Sequence, residues 1–476
     1  MLFNSINFLF VFLPIVFVLY FFLNKLKQYS LATLCLVSAS LYFYSYYKID
    51  YLPIIISSIL FNYLVGNLLQ NNSIGQKIAL RRIIFVVGLV GNVLLLFYFK
   101  YFNYLIESIN QLFQQDFNTM SILLPFGISF FTIQQLAYLI DSYHGKLKGC
   151  SLLHYFLFVS YFPQLIAGPI VRYQEMIPQF EDKSKRTINQ YNLYVGFFLI
   201  TIGLAKKVII ADSCLNFVNS VEFPPEYLSL LSSWFYAFEK LIYGYFDFSG
   251  YTDMALGLGM LFNITLPQNF NSPYKSANVC EYWTRWHMTL MNFFRDYLYV
   301  PMGDDKKGLF RTYFNVMVVF LCYGIWKSTN LSSIFYGILN GIFVCINKTW
   351  QKLNVKLPRF VGVSATFITL LLTTPFLQIP SLRQSFEILK SMFGLTGNYA
   401  PIKIEHLNFV FQEKMQLSIL MFAFCLYVIF ISKNSDELAE KYAQSENVWY
   451  TIIGIFVFVY TTLLLTKNQE FLYFIF

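Results

Sequence analysis

A candidate base and several charges share one short stretch of an otherwise apolar chain. Between Glu281 and Pro301 the sequence reads EYWTRWHMTLMNFFRDYLYVP, which sets Arg285, His287, Arg295 and Asp296 among aromatic residues that include Trp286. Imidazole is the side chain whose ordinary pKa lies nearest neutrality, so His287 is the candidate for taking a proton from a hydroxyl. Ionisable groups at membrane depth cost several kcal/mol unless paired, which makes such a cluster a functional-site hypothesis by default. Upstream, YFDFSGYTDM (245–254) contributes Asp247, Ser249 and Tyr251 together with Asp253, and Gly250 can supply a turn. The two carboxylates need cations. Arg285 and Arg295 are the nearest candidates, in competition with Glu281 and Asp296.

On a helix, at about 100° per residue, 281–298 separates into two faces. Glu281, Arg285, Thr289, Asn292 and Asp296 make a polar stripe, while Trp283, His287, Leu290, Met291, Phe294 and Leu298 share the apolar side. A purely structural account also fits this pattern: an interfacial helix whose arginines meet lipid phosphates and whose histidine is a packed core residue. A second motif, YFPQLIAGPIVRYQEM (161–176), puts Pro163, Gly168 and Pro169 inside an apolar run. Broken backbone at membrane depth is tolerated only where it is buried in protein or lines a cavity. The segment Pro163 to Pro169 is therefore expected to be non-helical and to line a cavity, with Gln164, Arg172 and Gln174 as its polar groups. The structural alternative for both motifs is helix breaking and loop capping.

The elements that must position these residues are membrane helices. Of 476 residues 57% are hydrophobic and 12% charged, against roughly 25% charged in soluble domains. Apolar runs near 7–23, 30–47, 51–69, 83–99, 122–140, 191–212, 228–246, 252–266, 311–326, 331–346, 360–378, 416–432 and 449–466 predict ten to thirteen helices, the run 252–266 being short enough to be re-entrant or interfacial. None shows the period-two alternation of a barrel strand. The basic loops Lys25/Lys27, Lys77/Arg81/Arg82, Lys146/Lys148 and Lys183/Lys185/Arg186 fall on one side if 152–170 dips in and returns, so that side is expected to be cytoplasmic with the N-terminus outside. Positive loops facing anionic lipid account for the net charge of +9 without nucleic acid. The cysteines have no metal spacing and imply no disulfide framework. No linker separates a soluble domain, and one membrane domain over 1–476 is the economical reading.

Taken in order, LPFGISFFTIQQLAYLIDSYHGK (124–146), YFPQLIAGPIVRYQEM, GLAKKVIIAD (203–212), YFDFSGYTDMALGLGMLF (245–262), LPQNFNSPYKS (266–276) and RWHMTLMNFFRDYLYVPMG (285–303) resemble the membrane-bound O-acyltransferase family. The resemblance is to its bacterial branch of alginate O-acetylation, peptidoglycan O-acetylation and D-alanyl transfer to teichoic acid. It covers about 124–345, and the flanks 1–120 and 360–476 match only as apolar spans. It implies an all-α bundle around a funnel or tunnel in a bacterial inner membrane. It also implies an acyl donor such as acetyl-CoA or an acyl carrier as substrate, no bound cofactor or metal, and a cell-envelope polysaccharide as acceptor. A serine esterase-like extracytoplasmic protein is the implied partner.

The resemblance also implies a catalytic histidine in a Trp-His-Gly motif some forty residues after Arg-Trp-His. Here the chain departs. The position reads GIWKSTN (324–330), so Lys327 follows Trp326 where histidine is expected, and the remaining histidine downstream, His406, matches no motif. Lys327 has three readings: an interfacial lysine that snorkels, a desolvated base or nucleophile, or a cation that holds a phosphate or oxyanion while His287 acts alone. The resulting expectation is a membrane O-acyltransferase with His287 and Lys327 at its centre. The rival readings are an inactive homologue that scaffolds an envelope-modification complex, and a transporter.

Overall fold

A computed structural model of the chain describes residues 1–71, 75, 77–214, 230–395, 415–445 and 447–465. Helix makes up 78% of it, and no strand forms among the described residues. Among the described residues seven helices, the first Phe8–Lys25 and the last Arg359–Gln378, are long and apolar enough to cross a membrane. Tyr29–Ser45, Met421–Phe430 and Val448–Leu464 are shorter and apolar, which makes ten such apolar helices among the described residues.

The chain divides into two compact units. Among the described residues, one comprises Met1–Leu204, Tyr251–Gln268 and 439–465; the other comprises Ala205–Gly250 and Asn269–Leu438. In the first, Asn62 and Asn92 satisfy each other's amides reciprocally, Asn92 Nδ2 donating to Asn62 Oδ1 at 2.6 Å and Asn62 Nδ2 to Asn92 Oδ1 at 3.1 Å. Paired amides of this kind join helices in a lipid-like setting, where apolar contact gives little preference for one partner over another.

The proline-containing segment of this unit is broken as its residues predict. Helix Leu152–Ser160 stops at Tyr161, a single turn Phe162–Leu165 follows, and the chain then leaves helical conformation until Tyr173. Its backbone is satisfied by protein: Phe162 N–H donates to Ser40 Oγ at 3.1 Å, and Gln164 Nε2 donates to Phe158 O at 2.6 Å. Gly127 packs on it with φ +68°, and a Cβ there would lie 2.5 Å from Leu165 O. That glycine also delays the following helix, which begins at Ile128 rather than at 122. Phe162–Val171 is buried throughout, so the broken segment is enclosed in protein and does not face lipid.

Two expectations fail in the long helix Leu230–Leu261. Gly250 makes no turn, and 252–266 is neither re-entrant nor a separate span. Its first ten residues complete the helix, which ends before Asn263 in the left-handed region at φ +61°. A glycine inside a helix costs only about 1 kcal/mol.

Candidate active site

The expected single helix 281–298 is two helices with a break at the histidine. Asn278 caps the first, Val279–Arg285, by accepting from Glu281 N–H at 2.9 Å, and Glu281 Oε2 accepts from Ala277 N–H at 2.8 Å. Such reciprocal capping fixes a helix start. Trp286 then turns extended and pairs antiparallel with Phe270: Asn271 N–H donates to Arg285 O at 3.0 Å and Met288 N–H to Asn269 O at 2.9 Å. His287 sits at φ +45°, and the second helix, Met288–Phe294, starts from it. Non-glycine residues in the left-handed region mark positions that surrounding structure over-determines.

His287 is fully buried and lies outside every helix long enough to span a membrane. Its ring meets Phe248 edge-on at 4.9 Å and Trp326 at 5.8 Å. Its tautomer follows from its neighbours. Asn269 Oδ1 accepts from Thr289 N–H at 3.3 Å and from Thr289 Oγ1 at 2.6 Å, and a backbone N–H can only donate, so the atom it faces must be the amide oxygen. The same oxygen lies 3.4 Å from His287 Nδ1. Nδ1 therefore carries the hydrogen and Nε2 the lone pair. Burial, and then the positive charge of Lys327, hold the imidazole well below its ordinary pKa. The ring is neutral at physiological pH and basic at Nε2.

Lys327 ends helix Leu309–Lys327 and is 4% exposed. Its position is set by a tight helix crossing with Leu331–Lys352, where a Cβ on Gly337 would lie 2.2 Å from Phe320 O and one on Gly324 2.6 Å from Ser333 O. Asn330 caps the second of these helices by accepting from Ser333 N–H at 2.8 Å, and also donates to Ser328 Oγ at 2.9 Å. Lys327 lines a narrow cavity of about 20 Å³, with Lys240, Gly244, Trp286, Tyr336 and Gln378 also on its walls. That is room for about one water.

The other expected residues distribute unevenly. Trp326 touches the His287 ring and Trp286 walls the cavity. Arg285 bonds Glu281 at 2.8 Å on its own helix, and Arg295 bonds its neighbour Asp296 at 2.7 Å while 59% of its side chain is exposed. Neither arginine neutralises Asp247. That carboxylate is met by Lys207 at 2.6 Å, which also holds Asp212 at 2.8 Å. The helix runs straight through YFDFSG, so Asp247 points to the segment GLAKKVIIAD, where a lysine was already visible. Ser249 is buried on the same helix, while Tyr251 belongs to the first unit, stacked on Phe3 at 4.5 Å. Sequence reasoning missed Lys240, Gln378 and Asn269, and placed Thr289 on a polar stripe without a role; Asn269 lies within the motif LPQNFNSPYKS and Thr289 within RWHMTLMNFFRDYLYVPMG. His406 lies outside the described residues.

Residues 8–366 match the membrane-bound O-acyltransferase family. The chain is similar to a peptidoglycan O-acetyltransferase of Helicobacter pylori, 37% identical over 93% of this chain and 91% of that protein. It is 32% identical to a probable alginate O-acetylase of Pseudomonas putida over 90% of this chain and 87% of the relative. A teichoic acid D-alanyltransferase of Bacillus subtilis matches at 30% identity over 51% of this chain and 65% of its own length.

Proposed function

The chain belongs to the membrane-bound O-acyltransferase family, and from that premise we propose that it moves an acetyl group from a cytoplasmic thioester donor toward hydroxyls of a cell-envelope polysaccharide. The observation that carries this reading is the buried, neutral His287 with its lone pair fixed at Nε2. In the reaction, the acceptor oxygen attacks the acyl carbonyl carbon while Nε2 takes the hydroxyl proton. The carbonyl oxygen becomes an oxyanion, which the Lys327 ammonium stabilises electrostatically in a low-dielectric site. As the tetrahedral intermediate collapses the carbon–sulfur bond breaks, and the imidazolium returns its proton to the thiolate, leaving an ester and a free thiol.

The acetyl and polysaccharide assignments draw on the relatives whose names carry O-acetylation. The inner-membrane location, with the N-terminus outside and the basic loops inside, rests on the charge asymmetry of the loops. A secreted serine esterase-like protein is the partner proposed for completing transfer outside the membrane. Mass spectrometry of envelope polysaccharide, from cells with and without this chain, tests the reading through ester-linked acetate. Acetate that depends on the wild-type chain and disappears with His287→Ala supports it. Acetate unaffected by deletion of the chain overturns it, and acetate that depends on the chain yet persists with a folded His287→Ala favours the scaffold.

A further inference from the structure

Three consecutive residues at the helix break, His287, Met288 and Thr289, all meet one residue, Asn269. Its backbone oxygen accepts from Met288 N–H at 2.9 Å. Its Oδ1 accepts from Thr289 N–H at 3.3 Å and from Thr289 Oγ1 at 2.6 Å, and faces His287 Nδ1 at 3.4 Å. Asn269 is fully buried, and its Nδ2 has no hydrogen-bond partner among the described residues. The orientation of the amide is therefore decided at its oxygen end, by Thr289. Turned over, the amide would set its NH2 group against a backbone N–H that can only donate.

We propose that Asn269 is a positioning residue for acyl transfer: acting through His287, its oxygen, oriented by Thr289, makes Nε2 the atom that takes the hydroxyl proton and supports the imidazolium that results. The proposal rests on the reading of His287 as the base. A neutral imidazole has one bare nitrogen, and without an acceptor beside Nδ1 nothing holds that lone pair at Nε2. The 3.4 Å contact is long for the resting ring. Once Nε2 is protonated the ring is a cation, Nδ1–H becomes a stronger donor, and the same contact tightens as a charge-assisted hydrogen bond. An interaction that strengthens toward the transition state lowers the barrier, whereas one equal in both states does not. That the acceptor is an uncharged amide also matters. A carboxylate in its place would favour the imidazolium before any hydroxyl arrives, against burial and the charge of Lys327, which keep the ring neutral. Phe248 and Trp326, the aromatic neighbours of the ring, add no charge.

The test uses the full chain in lipid bilayers and two measurements. Solid-state nitrogen NMR of isotopically labelled histidine separates protonated from bare ring nitrogens, and His287 is identified among the four histidines by the signals lost in His287→Gln. Wild type is expected to carry hydrogen on Nδ1 and none on Nε2 at neutral pH; hydrogen on Nε2 overturns the proposal. Asn269→Leu, which removes the acceptor, should move the hydrogen to Nε2 and lower acetyl transfer by about 10²–10⁴-fold. Asn269→Asp keeps the shape and an acceptor but adds charge. The acid limb of transfer should then move up by about one pH unit or more, while transfer above the limb stays within about tenfold of wild type. A residue that merely supported the fold would lower transfer equally at every pH and leave the limb in place. A folded Asn269→Asp with an unmoved limb therefore overturns the proposal, as does a folded Asn269→Leu with wild-type tautomer and transfer. The titration of the ring, followed by the same NMR signals, needs no turnover. If wild type transfers no acetyl, yet its ring is the Nδ1–H tautomer and titrates higher in Asn269→Asp, only the acyl-transfer reading fails.

Discussion

Two groups of charge within one compact unit have different surroundings. Around Lys207 the cation is enclosed by Asp212 and Asp247 at 2.8 and 2.6 Å, and every charge faces another charge. Lys327 and Lys240 instead line a narrow cavity with no carboxylate among its described lining residues, and the Lys240 ammonium lies over the Tyr236 ring at 5.7 Å. Taking a charge out of water costs several kcal/mol, and an ion pair recovers this only with close geometry. The first cluster recovers it internally, joining Ala205–Ala211 and Asp212 to helix Leu230–Leu261. The second is not closed by a carboxylate among the described residues on the cavity wall. In an apolar chain, then, the presence of charge is a weak guide to function, and what the charge faces is a stronger one.

The largest effect expected from this contrast is at Lys207. Lys207→Met leaves two buried carboxylates without their common cation and should lower stability by about 3–5 kcal/mol, read as an earlier unfolding transition in detergent. Combining it with Asp247→Asn and Asp212→Asn should recover much of the loss. A folded single variant with wild-type stability would break the comparison, for it would mean that the cluster carries no structural burden.

His287→Ala comes next. Acetyl transfer should fall by about 10²–10⁴-fold, the usual contribution of a positioned base, with the melting temperature as the control that separates lost chemistry from lost fold. The same residue gives a pH dependence. Its folded pKa lies below the ordinary imidazole value of 6.5, so above that value it is neutral in both states and adds no slope. Below it the unfolded chain binds a proton that the buried ring refuses, and stability is lost as pH falls. The acid limb of transfer should accordingly lie below pH 6.5. Lys327→Met should move that limb upward without bringing it to the ordinary value, because burial is the larger cause and the lysine the smaller. A limb that does not move would remove Lys327 from the electrostatics of His287.

How much of this could be read beforehand depends on how local its cause is. Membrane helices follow from the apolar runs, and the break at Pro163–Pro169 follows from residues within it. His287 and Lys327 are visible through their motifs. The division of 281–298 is not visible, because its cause lies elsewhere in the chain: Phe270 pairs with Trp286, and that contact overrides a continuous helical pattern. Lys240 is equally silent. One lysine in an apolar helix looks the same whether it faces lipid, a carboxylate or a cavity, and only packing decides which. The error at Asp247 is of the same kind, since Arg285 and Arg295 were suitable by charge, while helix direction gave the carboxylate to Lys207.

The smallest effect expected is at Arg295, and it tests the comparison from the other side. Arg295 carries the same charge as the cavity lysines and lies in the same motif as His287, so a reading by motif alone gives it comparable weight. Its guanidinium instead bonds Asp296 at 2.7 Å with 59% of the side chain exposed. Exposed pairs contribute about 0–1 kcal/mol. Arg295→Ala should thus leave the melting temperature nearly unchanged and retain most acetyl transfer, whereas Lys327→Gln, which keeps the bulk and removes the charge, should lose about 10²–10³-fold if the ammonium holds the oxyanion. The two variants are compared in the same cells by acetate released per unit of protein. Equal losses at both positions would mean that burial and cavity placement do not separate working charges from ordinary ones here, and that Arg295 takes part through a surface the substrate crosses.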